Sequence, residues 1–455
     1  MQKVFDAMLG WVDARFPLIK TWEEHLSKYY APKNFNFWYY FGSLALLVLV
    51  IQIVSGIFLT MHYKPDTQLA FASVEYIMRD VPWGWLMRYL HSTGASFFFI
   101  TVYLHMLRGI MYGSYRGPRE LLWLIGMAIF IALMAEAFMG YLLPWGNMSY
   151  WGAQVIISLF SAIPFGIGDI LSEWIRGDFV VSDATLNRFF AFHVIAVPLA
   201  LCGLVFVHIV ALHKVGSNNP DGIEIKKNKG PDGLPVDGIP FHPYYTVKDI
   251  VGVAGFLIIF AAVIFFAPEL GGWFLEHDNF TPANILQTPP EIVPLWYFTP
   301  YYSLLRATTE EMVTKGLLPL TIVMTILTVI SVRNVLAKMA AVGIGSVVVV
   351  CLFIFEAKLW GVILMGLGVG LFAFLPWLDM SPVKSIRYKG WMFKTALIIF
   401  CIDFLVLGWL GTQPASGPNV ILAQIGTILY LLFFFLMPWY TTFDKTKPVP
   451  ERVTQ

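Results

Sequence analysis

Residues 88–108 read RYLHSTGASFFFITVYLHMLR, and residues 193–208 read HVIAVPLALCGLVFVH. Each stretch is apolar enough to cross a bilayer, yet each carries two histidines, and an ionisable side chain at membrane depth is costly unless it has a task. His91 and His105 are 14 residues apart, His193 and His208 are 15. At 3.6 residues per turn, 14 residues fall about 40° short of four turns and 15 overshoot by about 60°, so each pair shares one helix face, about 21–22 Å apart along the axis. Two such helices facing one another present two stacked His–His pairs. Each pair is suited to hold one haem iron axially from both sides, leaving the metal to transfer electrons. A lone buried histidine is ordinarily a hydrogen-bonded core residue or a proton relay; four with matched spacing on two spans point instead to ligation.

The surroundings of these two helices agree with a membrane setting. Of the 455 residues, 58% are hydrophobic, 16% aromatic and 13% charged, with a mean hydropathy of +0.69; a soluble protein averages roughly 25% charged. Lysine plus arginine (30) nearly balance aspartate plus glutamate (29), so no basic face exists to neutralise phosphates. A cytosolic domain, a disordered chain and a nucleic-acid binder are excluded. Apolar runs predict ten spans, at about 39–62, 87–112, 121–141, 186–212, 246–267, 313–332, 341–357, 359–378, 393–411 and 420–439, and hence an all-α polytopic transmembrane bundle. Val4, Phe5, Met8, Leu9, Val12 and Phe16 recur every three or four residues and predict an amphipathic surface helix. Asp6 and Asp13 interrupt any signal-peptide core. Trp151, Val155, Ile156, Leu159 and Ile163 predict a second amphipathic piece. Cys202, Cys351 and Cys401 lie in apolar runs without a CxxC and read as small buried hydrophobes. With the spans alternating from a cytoplasmic N-terminus, 22 lysines and arginines fall on the cytoplasmic side and 8 on the other, which places both termini in the cytoplasm.

Glycines repeat the histidine period. Gly42 and Gly56 on the first span, and Gly126 and Gly140 on the third, are also 14 apart. A porphyrin edge-on between helices needs neighbours without a Cβ, so glycines at each histidine's depth let the macrocycle pack on backbone; small residues at helix crossings are the other reading. Arg88 and Arg108, each three residues from a histidine, sit where guanidinium groups pair with haem propionates or simply snorkel to the interface.

With these residues in place the chain resembles cytochrome b of the quinol-oxidising cytochrome bc complex, respiratory complex III, of the bacterial type. The resemblance covers nearly the whole chain. It is carried by RYLHSTGAS at 88–96, YLLPWGNMSYWG at 141–152, SAIP at 161–164, GSNNP at 216–220, FHPYYTVKDI at 241–250 and PPEIVPLWYFTPYY at 289–302. It implies that His91 and His193 hold a low-potential haem near the periplasm, and that His105 and His208 hold a high-potential haem near the cytoplasm. Both would be noncovalent b haems, in keeping with the absence of a CxxCH. It implies quinol oxidation among Phe138, Tyr141, Gly152, Pro294, Trp296 and Tyr302, and quinone reduction near Tyr40, Ser43, His213, Ser217, Lys248 and Asp249, with ubiquinol and ubiquinone as substrates. A histidine and an acid near the cytoplasmic surface suit the inner site, because quinone reduction consumes two protons. Residues 1–245 would form a dihaem four-helix domain, and 246–455 a C-terminal membrane domain contributing the outer site. Expected partners are a Rieske iron–sulfur subunit, a c-type cytochrome, a second copy of the chain and membrane lipid, in a bacterial inner membrane.

The chain departs from that family at three places. Where the family usually reads Pro-Glu-Trp-Tyr, this chain has Pro294, Leu295, Trp296 and Tyr297. Leucine cannot accept the quinol's proton; Glu291 is the expected substitute, a surface acid beside a proline turn being the alternative. The 15-residue interval between His193 and His208 is one longer than the mitochondrial type, and would turn His208 by about 100° unless a bulge, or Pro198, absorbs it. Finally, an extra apolar hairpin at about 313–357 interrupts the family pattern, lipid packing or a subunit contact being its default role. GLGVG within the resumed span looks like a dinucleotide loop, but no strand precedes it and helix packing is the better reading.

Two other function classes fit four intramembrane histidines. A secondary transporter with a histidine proton relay would show an inverted repeat with interrupted helices, and none is found. A haem-bearing anchor of a dehydrogenase would not need the PWG, LWY and KDI clusters.

Overall fold

A computed structural model describes residues 2–454. Among them, ten helices are long and apolar enough to cross a membrane: Phe37–Thr60, Gly84–Tyr112, Glu120–Leu142, Asp183–Val215, Phe241–Phe266, Glu310–Ser331, Val335–Ile354, Ala357–Leu378, Trp391–Leu410 and Pro418–Phe435. They are called spans one to ten. All ten expected spans are present, their ends displaced by at most six residues. The largest displacement, at span seven, has a local cause: the Asn334 side chain accepts from the Leu336 and Ala337 N–H groups and starts the helix ahead of its apolar run.

Span one packs on span two, span three on span four, and span five against spans one and two. Span two is the most enclosed, and span four the least. A short helix, Thr299–Ala307, follows the LWY motif and becomes the hub of the C-terminal half, packing on spans eight, nine and ten. Its Tyr301 and Leu304 are buried in the main core with Leu407 and Tyr430. Spans six and seven form the extra hairpin and pack chiefly on each other, with Gly345 set directly against Thr325, the close approach that a small residue permits between membrane helices.

The N-terminal amphipathic helix runs Gln2–Asp13, with Val4, Phe5, Met8 and Trp11 exposed. The second amphipathic piece is a helix at Asn147–Leu159, but its buried face is Tyr150, Ala153 and Ile157 rather than Val155 and Ile156. A neighbouring turn explains the change, since Asn279 accepts from Ser149 N–H and holds this helix by its start. Cys202 is also a correction: it is exposed on the outside of span four, whereas Cys351 and Cys401 are partly covered.

Both ends of the chain converge on the loop between spans four and five. Strand Tyr30–Pro32 pairs antiparallel with Gly238–Pro240, and near the C-terminus Arg452 and the Val453 N–H bind the Asp237 carboxylate. The termini therefore share one face, as an even span count requires. On that face the basic residues are not merely interfacial. Arg119 and Lys384 grip Glu224, Arg387 binds Asp221, and Lys389 meets Asp379 in full burial.

Candidate functional site

The 15-residue interval is absorbed by the backbone. Phe192–Ala196 is a π-helical turn, followed from Val197 by regular α-helix with Pro198 in its first turn. A π turn closes its hydrogen bond one residue further along than an α turn, so the extra residue is spent there and His208 regains the face of His193.

The four histidines consequently meet in two pairs. The rings of His91 and His193 have centroids 5.9 Å apart with planes at 89°; those of His105 and His208 are 6.5 Å apart at 60°. A metal bound at about 2 Å by an imidazole nitrogen on either side would set the centroids roughly 6 Å apart, so both pairs fit one shared iron each. For His91 and His193, ring orientation is fixed through Nδ1, which leaves Nε2 free for a metal. Nδ1 of His91 meets Ser55 Oγ at 3.0 Å, and that hydroxyl itself donates to the Ile51 carbonyl. Nδ1 of His193 meets both the Glu136 carbonyl and its carboxylate at 3.0 Å. Arg108 lies 3.1 Å from Nδ1 of His105. As a guanidinium can only donate, a ligating His105 needs that contact released, and Arg108 has a buried Nε without a partner.

Each glycine of the 14-residue repeat faces one of these imidazoles. A Cβ on Gly42 would stand 3.3 Å from His105, on Gly56 3.1 Å from His91, on Gly126 3.3 Å from His208, and on Gly140 it would collide with His193. The glycines thus make room for the imidazole rings themselves. The His91–His193 pair opens on a cavity of about 250 Å³ whose wall includes Arg88, Glu136, Tyr141 and Leu295.

A second cavity, of about 460 Å³, lies beside the first, with Trp273, Glu276, Pro294 and Trp296 in its wall. The two are joined by side chains. Trp296 donates its indole N–H to Ser96 Oγ at 3.0 Å, and Tyr141 donates its hydroxyl to Glu276 Oε2 at 2.9 Å. Gly152 sits under the Tyr141 ring, and Phe138 packs edge-on against Phe189. Tyr302 is near but does not line the cavity; its hydroxyl donates to the Ile292 carbonyl and Arg306 lies over its ring. Glu291 is exposed and outside the wall. Glu276 is the residue that sequence reasoning missed. It lies 15 residues upstream of Glu291 in a loop with no regular pattern, and only the chain's return to Tyr141 brings it in.

On the opposite face, Tyr40 and Ser43 on span one approach span five, where Ser43 reaches the Asp249 carboxyl and Gly252 receives the Tyr40 ring. His213 stacks on Tyr29 with centroids 4.6 Å apart, and Tyr29 in turn hydrogen-bonds Ser217 at 3.0 Å. Lys248 turns to the Tyr245 ring. Tyr29 carried no signal in sequence, being 188 residues from Ser217.

Comparison with known proteins identifies relatives of this chain. The family model described as Cytochrome b/b6/petB matches residues 26–216, and that described as Cytochrome b(C-terminal)/b6/petD matches 282–354 and 346–431. The chain is 58% identical over 450 residues to a cytochrome b of Allochromatium vinosum, covering 98% of each, and 44% identical to a cytochrome b of Rickettsia conorii at the same coverage. Among solved structures, a chain of a hyperthermophilic respiratory complex III superposes with a TM-score of 0.79 at 35% identity, covering 95% of this chain and 98% of that one.

Proposed function

Because the chain belongs to the cytochrome b/b6 family, with an electron-transfer role in respiratory complex III, we propose that it is a dihaem subunit that oxidises quinol at one face of the membrane and reduces quinone at the other. The observation that carries the reading is the pair of imidazole sandwiches, 5.9 and 6.5 Å between centroids. A haem held in each would supply a one-electron redox centre shielded from water. His91 and His193 would hold one, His105 and His208 the other. Ser55 and Glu136 keep the ligand rings in a fixed tautomer and rotation, and Arg88 and Arg108 would neutralise propionates.

Quinol would enter the cavity beside Pro294 and Trp296, where the Tyr141 hydroxyl holds Glu276 of the wall. One of its electrons leaves for a Rieske iron–sulfur subunit and the other crosses the membrane. Over two such turnovers quinone at the inner face takes up two electrons and two protons; His213 and Asp249 would deliver the protons, with Ser217 and Lys248 binding the carbonyl oxygens. Supported by the 22-to-8 split of basic residues, this face is cytoplasmic and the quinol face periplasmic, in a bacterial inner membrane, so that turnover moves protons outward. The chain acts as catalytic core only with the iron–sulfur and c-type cytochrome subunits, in a dimeric complex. Residues 1–245 supply the haem bundle, and 246–455 complete the quinol pocket.

The test is a reduced-minus-oxidised spectrum of the purified complex with a haemochrome count per copy of this chain. Two b haems are expected; none would overturn the reading.

A further inference from the structure

The outer cavity lacks the acid that the family places next to its tryptophan, and Leu295 does not mark an empty place there. Its side chain is buried and lines the histidine cavity instead. The proton of a quinol hydroxyl must still go to a base within hydrogen-bond reach. Three titratable groups line the cavity: Glu276, His277 and Asp278. His277 and Asp278 are exposed, whereas Glu276 is partly buried and held by the Tyr141 hydroxyl at 2.9 Å.

We infer that Glu276 is the proton acceptor of quinol oxidation, a catalytic residue in the wall of the cavity that Pro294 and Trp296 also line. The assignment rests on the quinol-oxidising role proposed above. Tyr141 fixes Oε2 while the carboxylate retains lone pairs for the substrate. In the step, one quinol O–H bond breaks, its proton bonds to the carboxylate, and one electron leaves for a one-electron acceptor of the complex. The protonated acid then releases its proton to water past exposed His277 and Asp278. Burial pushes the Glu276 carboxyl up to about 7, the range in which a base both accepts and releases a proton near neutral pH. The groups facing it are Tyr141, Tyr297, His277 and Asp278.

The experiment compares the unaltered complex with Glu276→Gln, Glu276→Asp, His277→Gln and Glu291→Gln, reading quinol oxidation against pH, haem spectra, and the carboxyl stretch in redox difference infrared spectra. A general base contributes roughly 100-fold or more, so Glu276→Gln should lose about that factor with both haem spectra intact. It should also lose the rise in rate through pH 7 and the carboxyl band, and Glu276→Asp should recover part of the rate. The inference is overturned if Glu276→Gln stays within about twofold of the unaltered complex, or if the pH rise survives there and vanishes in His277→Gln or Glu291→Gln. Should Glu276→Gln not assemble, a missing carboxyl band in the unaltered complex overturns it equally. An unaltered complex that binds two haems but does not oxidise quinol would instead remove the functional reading beneath it.

Discussion

Gly140 and His193 stand so close that the imidazole fills the space a Cβ would take. Backbone that faces an imidazole this directly sets both its distance and its rotation. Gly126 and His208 repeat the contact with more room, the hypothetical Cβ lying 3.3 Å from Cε1.

Substituting these two glycines should therefore separate the haems. Gly140→Ala displaces His193 and should remove about half of the b-haem absorbance. In Gly126→Ala the ring must give by only a few tenths of an ångström, and both haems should persist. A haemochrome count per chain decides it; equal loss in both variants would show that the contact does not govern ligation.

The π turn at Phe192–Ala196 makes a prediction about register. Deleting exposed Ile195 brings the histidines to 14 residues and lets the turn close as α-helix. Both haem signals should survive the deletion. Loss of the inner signal would mean that something other than this turn sets the face of His208.

Asp379 binds the two halves of the chain. Its carboxylate accepts from Lys389 at 2.5 Å and from the Tyr115 hydroxyl at 2.6 Å, both in full burial. Burial, only partly offset by Asp379, draws Lys389 down to about 8. Removing one member of a buried pair strands the other, at about 3–5 kcal/mol. Asp379→Asn should markedly lower the temperature at which the complex loses its haem spectrum, and adding Lys389→Met should restore part of it. A double variant as unstable as the sum of the singles would refute the coupling.

The tail contact should follow pH with a definite sign. Burial alone would raise the Asp237 carboxyl, but Arg452, the Val453 N–H and Lys33 outweigh it and bring it to about 2. As the folded value lies below the ordinary 3.8, the contribution is complete above about pH 4 and is lost as pH falls toward 2. Asp237→Ala should expose residues 450–454 to carboxypeptidase at neutral pH, where the unaltered tail resists. Equal digestion of the two would discount the tie.

At the inner face, Tyr29→Phe keeps the stack on His213 and loses only the hydroxyl contact to Ser217. One neutral hydrogen bond is worth about 1 kcal/mol, so the apparent affinity for quinone should fall roughly fivefold, and further in Tyr29→Ala. Quinone-dependent reoxidation of the inner haem measures it; no change in either variant would remove Tyr29 from the site.

Much of this protein was legible because the bilayer makes local demands. Ten apolar runs had to become ten helices, since hydrocarbon leaves backbone groups no other partner. The 14-residue spacing of His91 and His105, and of the two glycine pairs, likewise fixed which faces they share. The π turn could be expected from the extra residue between His193 and His208, though not its position. Less legible was the fate of the basic residues. Arg119, Lys384 and Lys389 count correctly toward one side, but nothing local says that they pair with Glu224 and Asp379.

The sequence by itself determined the membrane class, the number of spans and the four ligand candidates, because hydropathy and helical period act within one segment. Tertiary structure alone decided which carboxylates line the cavity with Pro294 and Trp296, and that Glu276 is the partly buried one. Glu291 is nearer in sequence and ends exposed; Glu276 comes from an irregular loop whose course is set by Tyr141 and by Asn279 at the start of the 147–159 helix. Irregular backbone has no period to read, so where its side chains point depends on contacts more than a hundred residues away.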